Sequence, residues 1–227
     1  MNNQLRTARL NLPGRGTRGR YISKVAGKIL AGAVGTACAV ASVTIVHPAG
    51  AGAATLSTVT YAFTEDVTVP SIHGSGHAAN GTVAVSLDPA TGNFTAQASR
   101  PSITVYGLAL GLIPVSAVAS FEQVGTFAGT IGSDGSLVSN LQIDIHLNAI
   151  SLLGILPIFT STTCHTAAPV ALHPVAPAGG FSVAGGGTVT ATFTVGQLTD
   201  CGAETALLNS TIPGPGNQVK LQLSPTS

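Results

Sequence analysis

The sequence predicts an all-β protein built from antiparallel strands. Three observations lead to this prediction: apolar and polar residues alternate with period two in several segments, clusters of Gly, Pro, Asn and Asp separate these segments, and no long segment has a helical period. Period-two alternation gives each strand one apolar and one polar face. Because a sheet with one wet face is usually antiparallel, the strands are expected to pair in that way.

The N-terminal segment has the features of an export signal. Seven of the nine Lys and Arg residues lie within residues 1–28, and the first acidic residue is Glu65. An apolar run follows at residues 29–46. A basic start followed by an apolar run is the pattern of a secretory signal peptide, so we expect the protein to be secreted, extracellular or held in the cell envelope.

Small residues after the apolar run predict where the signal ends. The sequence Ala-Gly-Ala at 51–53 forms an A-x-A cleavage site. We therefore predict cleavage between Ala53 and Ala54, which divides the chain into a signal peptide, residues 1–53, and a secreted domain, residues 54–227. A retained N-terminal membrane anchor is the alternative, because eighteen apolar residues are just long enough to span a bilayer.

Strands are predicted from the alternation along the secreted domain. Residues 82–87 and 94–99 alternate on either side of a turn at 88–93, which indicates a hairpin. The clearest strand covers residues 141–148, and a threonine-rich strand covers residues 188–195. Several short strands separated by turns are typical of a β-sandwich, so the predicted fold is a single antiparallel β-sandwich, immunoglobulin-like or related.

Two segments are apolar on both faces. Residues 107–119 read GLALGLIPVSAVA and residues 150–159 read ISLLGILPIF. Continuous apolar runs usually mean burial on both sides, so both are expected to lie in the core. The alternative is an exposed apolar patch that contacts lipid or a partner, since a proline in each run favours a sheet edge or a bend. The short echo between the runs, GLIPV and GILPI, is interpreted as coincidence or as a shared solution at a strand edge.

The charge of the secreted domain limits its partners. After residue 53 the chain has two basic residues, Arg100 and Lys220, against eight acidic ones, which gives a net charge of −6. A nucleic-acid partner is not expected, because phosphate contacts require clustered Lys and Arg. The remaining candidates are a cell-surface, lipid or protein partner.

Residues with catalytic potential are few. Asp144 and His146 lie on the same face of the predicted strand and resemble two members of a catalytic triad, but the chain has no G-x-S-x-G motif to supply a nucleophile. A water-facing strand surface explains them more simply. His73 and His77 lie in a Gly-rich stretch, which we interpret as a solvated loop because zinc requires three or four ligands. We therefore predict no catalytic residue, no metal and no cofactor.

Cysteine usage agrees with export. Cys38 lies within the predicted signal, so Cys164 and Cys201 remain in the secreted domain. An even number of cysteines in an exported chain favours a disulfide over a metal site. We therefore predict a bond between Cys164 and Cys201.

Several C-terminal elements occur in a defined order. Cys164 is followed by the strand at 187–195, by Cys201-Gly202, by Leu-Leu-Asn at 207–209 and by Gly-Pro-Gly-Asn at 214–217. This order resembles a group of uncharacterised secreted actinobacterial all-β proteins that carry the same C-G, L-L-N and G-P-G-N elements. The resemblance implies an extracellular or cell-envelope protein in which Cys164 is bonded to Cys201, and it implies no particular activity.

The function predicted from the sequence is surface binding by a secreted, non-enzymatic extracellular or cell-envelope protein. Two alternatives stay open. One is a secreted hydrolase that uses Asp144 and His146, and the other is a lipid-contacting envelope module that uses the apolar runs 107–119 and 150–159. The hydrolase requires catalytic groups that converge in a cleft, whereas the lipid-contacting module requires the two runs to be exposed together.

Overall fold

The computed structural model describes residues 56–226. These residues form fourteen β-strands, two short 3₁₀ turns and one short α-helix. All of the registered strand pairs are antiparallel. The prediction of an all-β, antiparallel protein is confirmed. Within the described residues, no helix is long and apolar enough to cross a membrane.

The strands vary widely in length, and the longest ones carry most of the pairing. In chain order they are β1 (Ser57–Val69), β2 (Gly74–Leu87), β3 (Asn93–Ser99), β4 (Ile103–Ala109), β5 (Ile113–Ile131), β6 (Leu137–Leu152), β7 (Leu156–Thr160), β8 (His165–Thr166), β9 (Val170–Leu172), β10 (Val175–Ala176), β11 (Phe181–Ser182), β12 (Gly186–Val195), β13 (Leu198–Thr199) and β14 (Gly214–Pro225). The helix α1 (Thr205–Thr211) lies between β13 and β14, and the 3₁₀ turns are Pro70–Ile72 and Gly202–Glu204.

The strands close into a barrel. Eight of them follow one another in the order β6, β10, β12, β14, β1, β2, β3 and β5, and β5 pairs again with β6. The first and last described strands, β1 and β14, lie side by side, with Val67 opposite Val219. The predicted β-sandwich is therefore wrong, because a closed ring of hydrogen-bonded strands contains no two separate sheets.

Bulged strands allow the sheet to curve. The pairing of β5 with β6 shifts register between Val118 and Ala119 and again between Val124 and Ala128. Such bulges bend a strand and increase its twist. The period-two alternation in the sequence does not distinguish the two architectures, since the wall of a barrel and the sheet of a sandwich both have one dry face.

Two short strands share one position in the wall. β2 pairs with β4 at residues 75–77 and with β3 at residues 82–87. β5 also pairs with both strands. Residues 113–119 of β5 pair with β4, and residues 127–130 of β5 pair with residues 93–96 of β3. Beyond the point where β4 leaves β2, the strands β4, β5, β6 and β7 run next to one another to the same end of the molecule.

Most local predictions of strands agree with the fold. β2 and β3 form the predicted hairpin, with Leu87 opposite Phe94, and the predicted strands at 141–148 and 188–195 lie within β6 and β12. The solvated loop predicted around His73 and His77 is wrong in part. His73 caps the first 3₁₀ turn, but His77 lies on β2, where it faces Asp66 of β1.

Side chains from the wall fill the interior of the barrel. Every second residue of β1 from Tyr61 to Val67 is buried, and this inward-facing row includes Glu65. Glu65 forms an ion pair with Arg100, whose side chain also faces the interior. The two apolar clusters inside the barrel comprise residues such as Val67, Ile103, Ile143 and Phe193 in one, and Tyr61, Phe63, Val85, Phe94 and Phe181 in the other.

The predicted disulfide between Cys164 and Cys201 is confirmed. Their Cα atoms lie 4.2 Å apart, well inside the limit of about 7 Å beyond which two cysteines cannot be bridged. The bond belongs to a third apolar cluster, together with Leu147, Phe159 and Leu208. It therefore joins the segment after β7 to the segment before α1, next to the end of the molecule where β6 and β7 meet.

Candidate functional site

Two apolar hairpin tips lie side by side at one end of the molecule. The first joins β4 to β5, and the second joins β6 to β7. We call residues 108–113 and 153–158 the twin tips. They are neighbours because β5 pairs with β6 up to Val115 and Leu152, and because the amide of Leu153 donates to the carbonyl oxygen of Pro114 at 2.9 Å.

The same turn closes both tips. Its two central residues have positive φ: 52° and 70° at Leu110 and Gly111, and 52° and 73° at Leu153 and Gly154. In the first tip the amide of Leu112 donates to the carbonyl oxygen of Ala109 at 3.1 Å. In the second tip the amide of Ile155 donates to the carbonyl oxygen of Leu152 at the same distance. Positive φ at both central residues is the mark of a type I′ hairpin turn. The sequence echo between the runs therefore encodes one repeated turn.

Leucine is an unfavourable choice for the first central position of this turn. Type I′ turns prefer Asn-Gly, Asp-Gly or Gly-Gly, because left-handed backbone is costly for a residue with a bulky side chain. The cost is about 1–2 kcal/mol per residue. The chain accepts it twice, at Leu110 and Leu153. Strain of this kind clusters at functional sites, and here it places an apolar side chain at the apex of each hairpin.

The side chains of the twin tips are highly exposed. Leu110 and Leu112 are 79% and 83% exposed in the first tip, and Leu153 and Ile155 are 66% and 82% exposed in the second. Monomeric proteins rarely expose such a contiguous apolar patch without a function. Of the thirteen exposed large apolar residues in the described chain, nine belong to this end: Tyr106, Leu108, Leu110, Leu112, Ile113, Leu153, Ile155, Leu156 and Ile158.

This exposure corrects the expectation that the two apolar runs are buried. Only their bases, such as Val115 and Phe159, enter the core. The remainder follows four neighbouring strands to their ends, where the large apolar side chains are exposed and no other element of residues 56–226 covers them. The prediction that proline marks a sheet edge is confirmed for Pro157, because β6 is the only strand of residues 56–226 that pairs with β7.

Formal charge is absent from both runs and their flanks. No Asp, Glu, Lys or Arg occurs at residues 101–121 or at residues 145–163 of the sequence. The hydroxyl-bearing ring of Tyr106, four residues before the apex of the first tip, is 64% exposed. The end of the molecule is thus apolar at its apex and amphipathic at Tyr106.

A rigid base supports the twin tips. Phe159 of β7 and Leu147 of β6 pack with the disulfide and with Leu208 of α1. Ile150, which lies within the second apolar run, packs against the same cluster. Hairpins held by a cross-linked base present their apices in a fixed position, which favours contact with another surface over folding back onto the protein itself.

Asp144 and His146, the pair on which the alternative of a hydrolase depends, do not form a triad with a hydroxyl in the described residues. His146 Nε2 lies 3.6 Å from the carboxylate of Glu122, and its ring stacks on His165 with a centroid distance of 5.6 Å. Among the described residues, no hydroxyl is hydrogen-bonded to His146. One carboxylate oxygen of Asp144 is enclosed without a hydrogen-bond partner, and Asp144 lies opposite Glu122 in the register of β5 and β6.

Titratable groups near the histidines do not form a metal centre in the described residues. His77 contacts Asp66 at 2.8 Å, and His165 Nδ1 contacts the carbonyl oxygen of Thr163 at 2.7 Å. No group of three His, Cys, Asp or Glu residues in that part of the chain is placed to hold a metal ion. The predicted cleavage site at Ala53 and Ala54 lies outside the described residues.

The barrel encloses an apolar cavity of about 70 Å³. Its lining includes Tyr61, Phe94, Phe127 and the stem of Arg100. For comparison, an engineered apolar cavity of roughly 150 Å³ takes up benzene. The exposed apolar side chains of the twin tips are therefore the more extensive candidate for a binding site.

No protein-family model, curated protein or solved structure matches this chain. Among the features of the described residues, the twin tips combine a repeated strained turn, a large exposed apolar area and an absence of formal charge. The sequence pointed to this site through the two apolar runs, but the Leu-Gly pair in each run is the signal that identifies the apices. Because the Leu-Gly pair occurs in both runs and has apolar residues on either side, it indicates a hairpin turn.

Proposed function

We propose that this chain is a non-enzymatic binding protein of the cell exterior that attaches to an apolar surface through the twin tips. The observation that carries the proposal is that both apices place leucine where asparagine or glycine would give a more stable turn. A leucine that destabilises the turn in which it lies indicates that its side chain contacts something other than the hairpin. The export signal predicted at residues 1–53 supports a location outside the cytoplasm.

The apolar area supplies a favourable free energy of the same size as the cost of association. Full burial of a Leu or Ile side chain is worth roughly 1.5–3 kcal/mol, so the four most exposed tip residues together contribute about 6–12 kcal/mol. Association costs about 4–15 kcal/mol in lost translational and rotational freedom. The flanking apolar residues of both tips add to the favourable side. We therefore expect binding that is reversible and depends on both tips together.

Substitution of the two apex leucines tests the proposal. The variant Leu110→Asn/Leu153→Asn converts both turns to Asn-Gly, the preferred type I′ sequence, so it removes apolar surface without harming the fold. Leu207→Asn is the matched control, because Leu207 is 66% exposed, as Leu153 is, but lies on α1.

The measurement is sedimentation of the exported protein with envelope fragments from the cells that produce it. The wild type and Leu207→Asn should sediment with the fragments to the same extent. The double variant should remain in the supernatant, with an affinity reduced by about tenfold or more. Equal sedimentation of all three proteins would overturn the proposal.

A further inference from the structure

We infer that the apolar surface bound by the twin tips is a layer of neutral or zwitterionic lipid, which the tips enter as far as Tyr106. This inference rests on the proposed function and names the partner of the same site. Four properties of the described residues lead to it: the shape of the tips, the pairing of their backbone, the distribution of charge and the position of Tyr106.

The shape of the site favours a fluid partner. The apical side chains, such as Leu112 and Ile155, project from two convex turns and are more than four-fifths exposed. A rigid protein partner would need two matching sockets, whereas lipid chains rearrange around any apolar projection. A second copy of this chain fits less well: the apolar cavity lies inside the barrel among core side chains, and the open depression beside His146 and Asp200 is lined by those two residues with Thr163, His165 and Gly202.

The backbone of the tips suits an apolar medium at its centre, while the outer sides of β7 and of the end of β4 form short open edges, on which Pro157 has no N–H to leave unpaired. Unpaired backbone N–H and C=O groups are costly in hydrocarbon, so an inserted segment must satisfy them internally. The two central strands of this end are paired on both sides. β5 lies between β4 and β6, and β6 lies between β5 and β7. Each turn also closes its own hydrogen bond, from Leu112 to Ala109 and from Ile155 to Leu152.

The distribution of charge selects the kind of lipid. The secreted domain has a net charge of −6, and of its two basic residues Arg100 is buried in an ion pair while Lys220 lies on β14, outside the tips. An anionic lipid surface would repel this domain, because attraction to anionic lipid requires clusters of Lys and Arg. Insertion of uncharged tips into neutral or zwitterionic lipid needs no such cluster, and it should depend little on salt.

Tyr106 sets the depth of insertion. Four residues separate it from the apex at Leu110, which corresponds to about 13 Å along an extended strand. One half of the hydrocarbon core of a bilayer is about 15 Å thick. Tyrosine prefers the boundary between hydrocarbon and headgroups, because its ring is apolar and its hydroxyl is wet. The exposed ring of Tyr106 would thus lie at the headgroups when the apices are within the acyl chains.

The test uses tryptophan as a probe, because the chain contains none. Leu112→Trp places the probe on the first tip, and Leu207→Trp places it on α1 as the control. The exported protein is mixed with phosphatidylcholine vesicles, with vesicles that also contain phosphatidylglycerol, and with vesicles of brominated phosphatidylcholine. Binding is measured at about 0.1 M and about 1 M NaCl.

The lipid inference predicts a specific pattern. Emission from Leu112→Trp should shift to shorter wavelength with phosphatidylcholine and be quenched by brominated lipid, whereas emission from Leu207→Trp should not change. Binding should be equal at both salt concentrations, weaker with phosphatidylglycerol, and reduced about tenfold or more by Leu110→Asn/Leu153→Asn.

Other results overturn the inference and show which step failed. If vesicles do not bind, but envelope fragments still retain the wild type and release the double variant, the partner is a protein and the proposed function stands. If sedimentation equilibrium shows an oligomer that the double variant abolishes, without vesicle binding, the partner is a second copy. If neither vesicles nor fragments distinguish the double variant from the wild type, both the inference and the proposed function are wrong.

Discussion

Arg100 and Glu65 form an ion pair inside the barrel, with 8% and 1% of their side chains exposed. The Arg100 Nε donates to a carboxylate oxygen of Glu65 at 3.3 Å, and the guanidinium lies 4.3 Å from the centre of the Phe121 ring. Of the two basic residues after residue 53, one is therefore committed to the interior. The outer surface of residues 56–226, including the twin tips, is left almost without positive charge from Lys and Arg.

The first prediction concerns this ion pair. Removal of one partner leaves an unpaired charge in an apolar interior, which typically costs about 3–5 kcal/mol. Arg100→Met and Glu65→Leu should each lower the free energy of unfolding by that amount in urea titrations. The double variant should recover most of the loss, because an apolar pair needs no compensation. Additive losses in the double variant would contradict the assignment of a buried, mutually dependent pair.

The second prediction concerns the strain in the turns. Leu110→Asn/Leu153→Asn should raise the free energy of unfolding, by about 1 kcal/mol per turn, because Asn tolerates positive φ better than Leu. Gly111→Ala/Gly154→Ala should lower it, since φ values of 70° and 73° favour glycine and no neighbouring atom lies near enough to compensate. Thermal unfolding measures both. A less stable Asn variant would mean that the leucines support the hairpins instead of straining them.

The third prediction concerns the disulfide. Cys164 and Cys201 close a loop with a sequence separation of 37 residues. The chain-entropy model assigns such a loop about 4 kcal/mol of stabilisation. Cys164→Ser/Cys201→Ser should therefore lower the free energy of unfolding by about that amount, and added reductant should have no further effect on this variant. An unchanged midpoint of unfolding would show that the cross-link does not stabilise the base of the tips.

The fourth prediction concerns alkaline pH. Burial raises the pKa of the Tyr61 hydroxyl above its ordinary value of 10.0, and the hydroxyl donates to the carbonyl oxygen of Val183 at 2.7 Å. The unfolded chain ionises this group first as the pH rises, so stability is complete below about pH 10 and declines as the pH increases toward the folded-state pKa.

The variant Tyr61→Phe isolates this effect. At about pH 8 it should be less stable than the wild type by roughly 0.5–1.5 kcal/mol, the worth of one hydrogen bond. As the pH rises above about 10, it should lose less stability than the wild type does. Urea unfolding at several pH values provides the comparison. Parallel curves for the two proteins would assign the alkaline loss to another group.

The local pairing of strands could be predicted from the sequence, but the closure of the barrel could not. The hairpin of β2 and β3 follows from alternation on both sides of a turn between Leu87 and Phe94. Closure depends on the pairing of β1 with β14, whose paired residues are at least 150 positions apart. No local pattern encodes such a contact. The alternation that predicts each strand is common to barrels and sandwiches.

The candidate site was visible in the sequence, whereas its exposure was not. An apolar run without alternation is compatible with a buried strand and with a strand that projects beyond the core. The repeated Leu-Gly pair was the more specific signal, because it fixes a turn in the middle of each run. The burial of Glu65 also had a signal, since it continues the inward-facing row of Tyr61 and Phe63, but its partner Arg100 is 35 residues away.

The fifth prediction, and the most direct test of the binding site, is photo-crosslinking on living cells. A photoreactive amino acid replaces Leu112 at the tip or Leu207 on α1, and cells that produce each protein are irradiated. The probe at 112 should form cross-links, predominantly to lipid, while the probe at 207 should form few. Equal cross-linking at the two positions, or cross-linking at 207 alone, would contradict the assignment of the twin tips as the surface by which this protein binds.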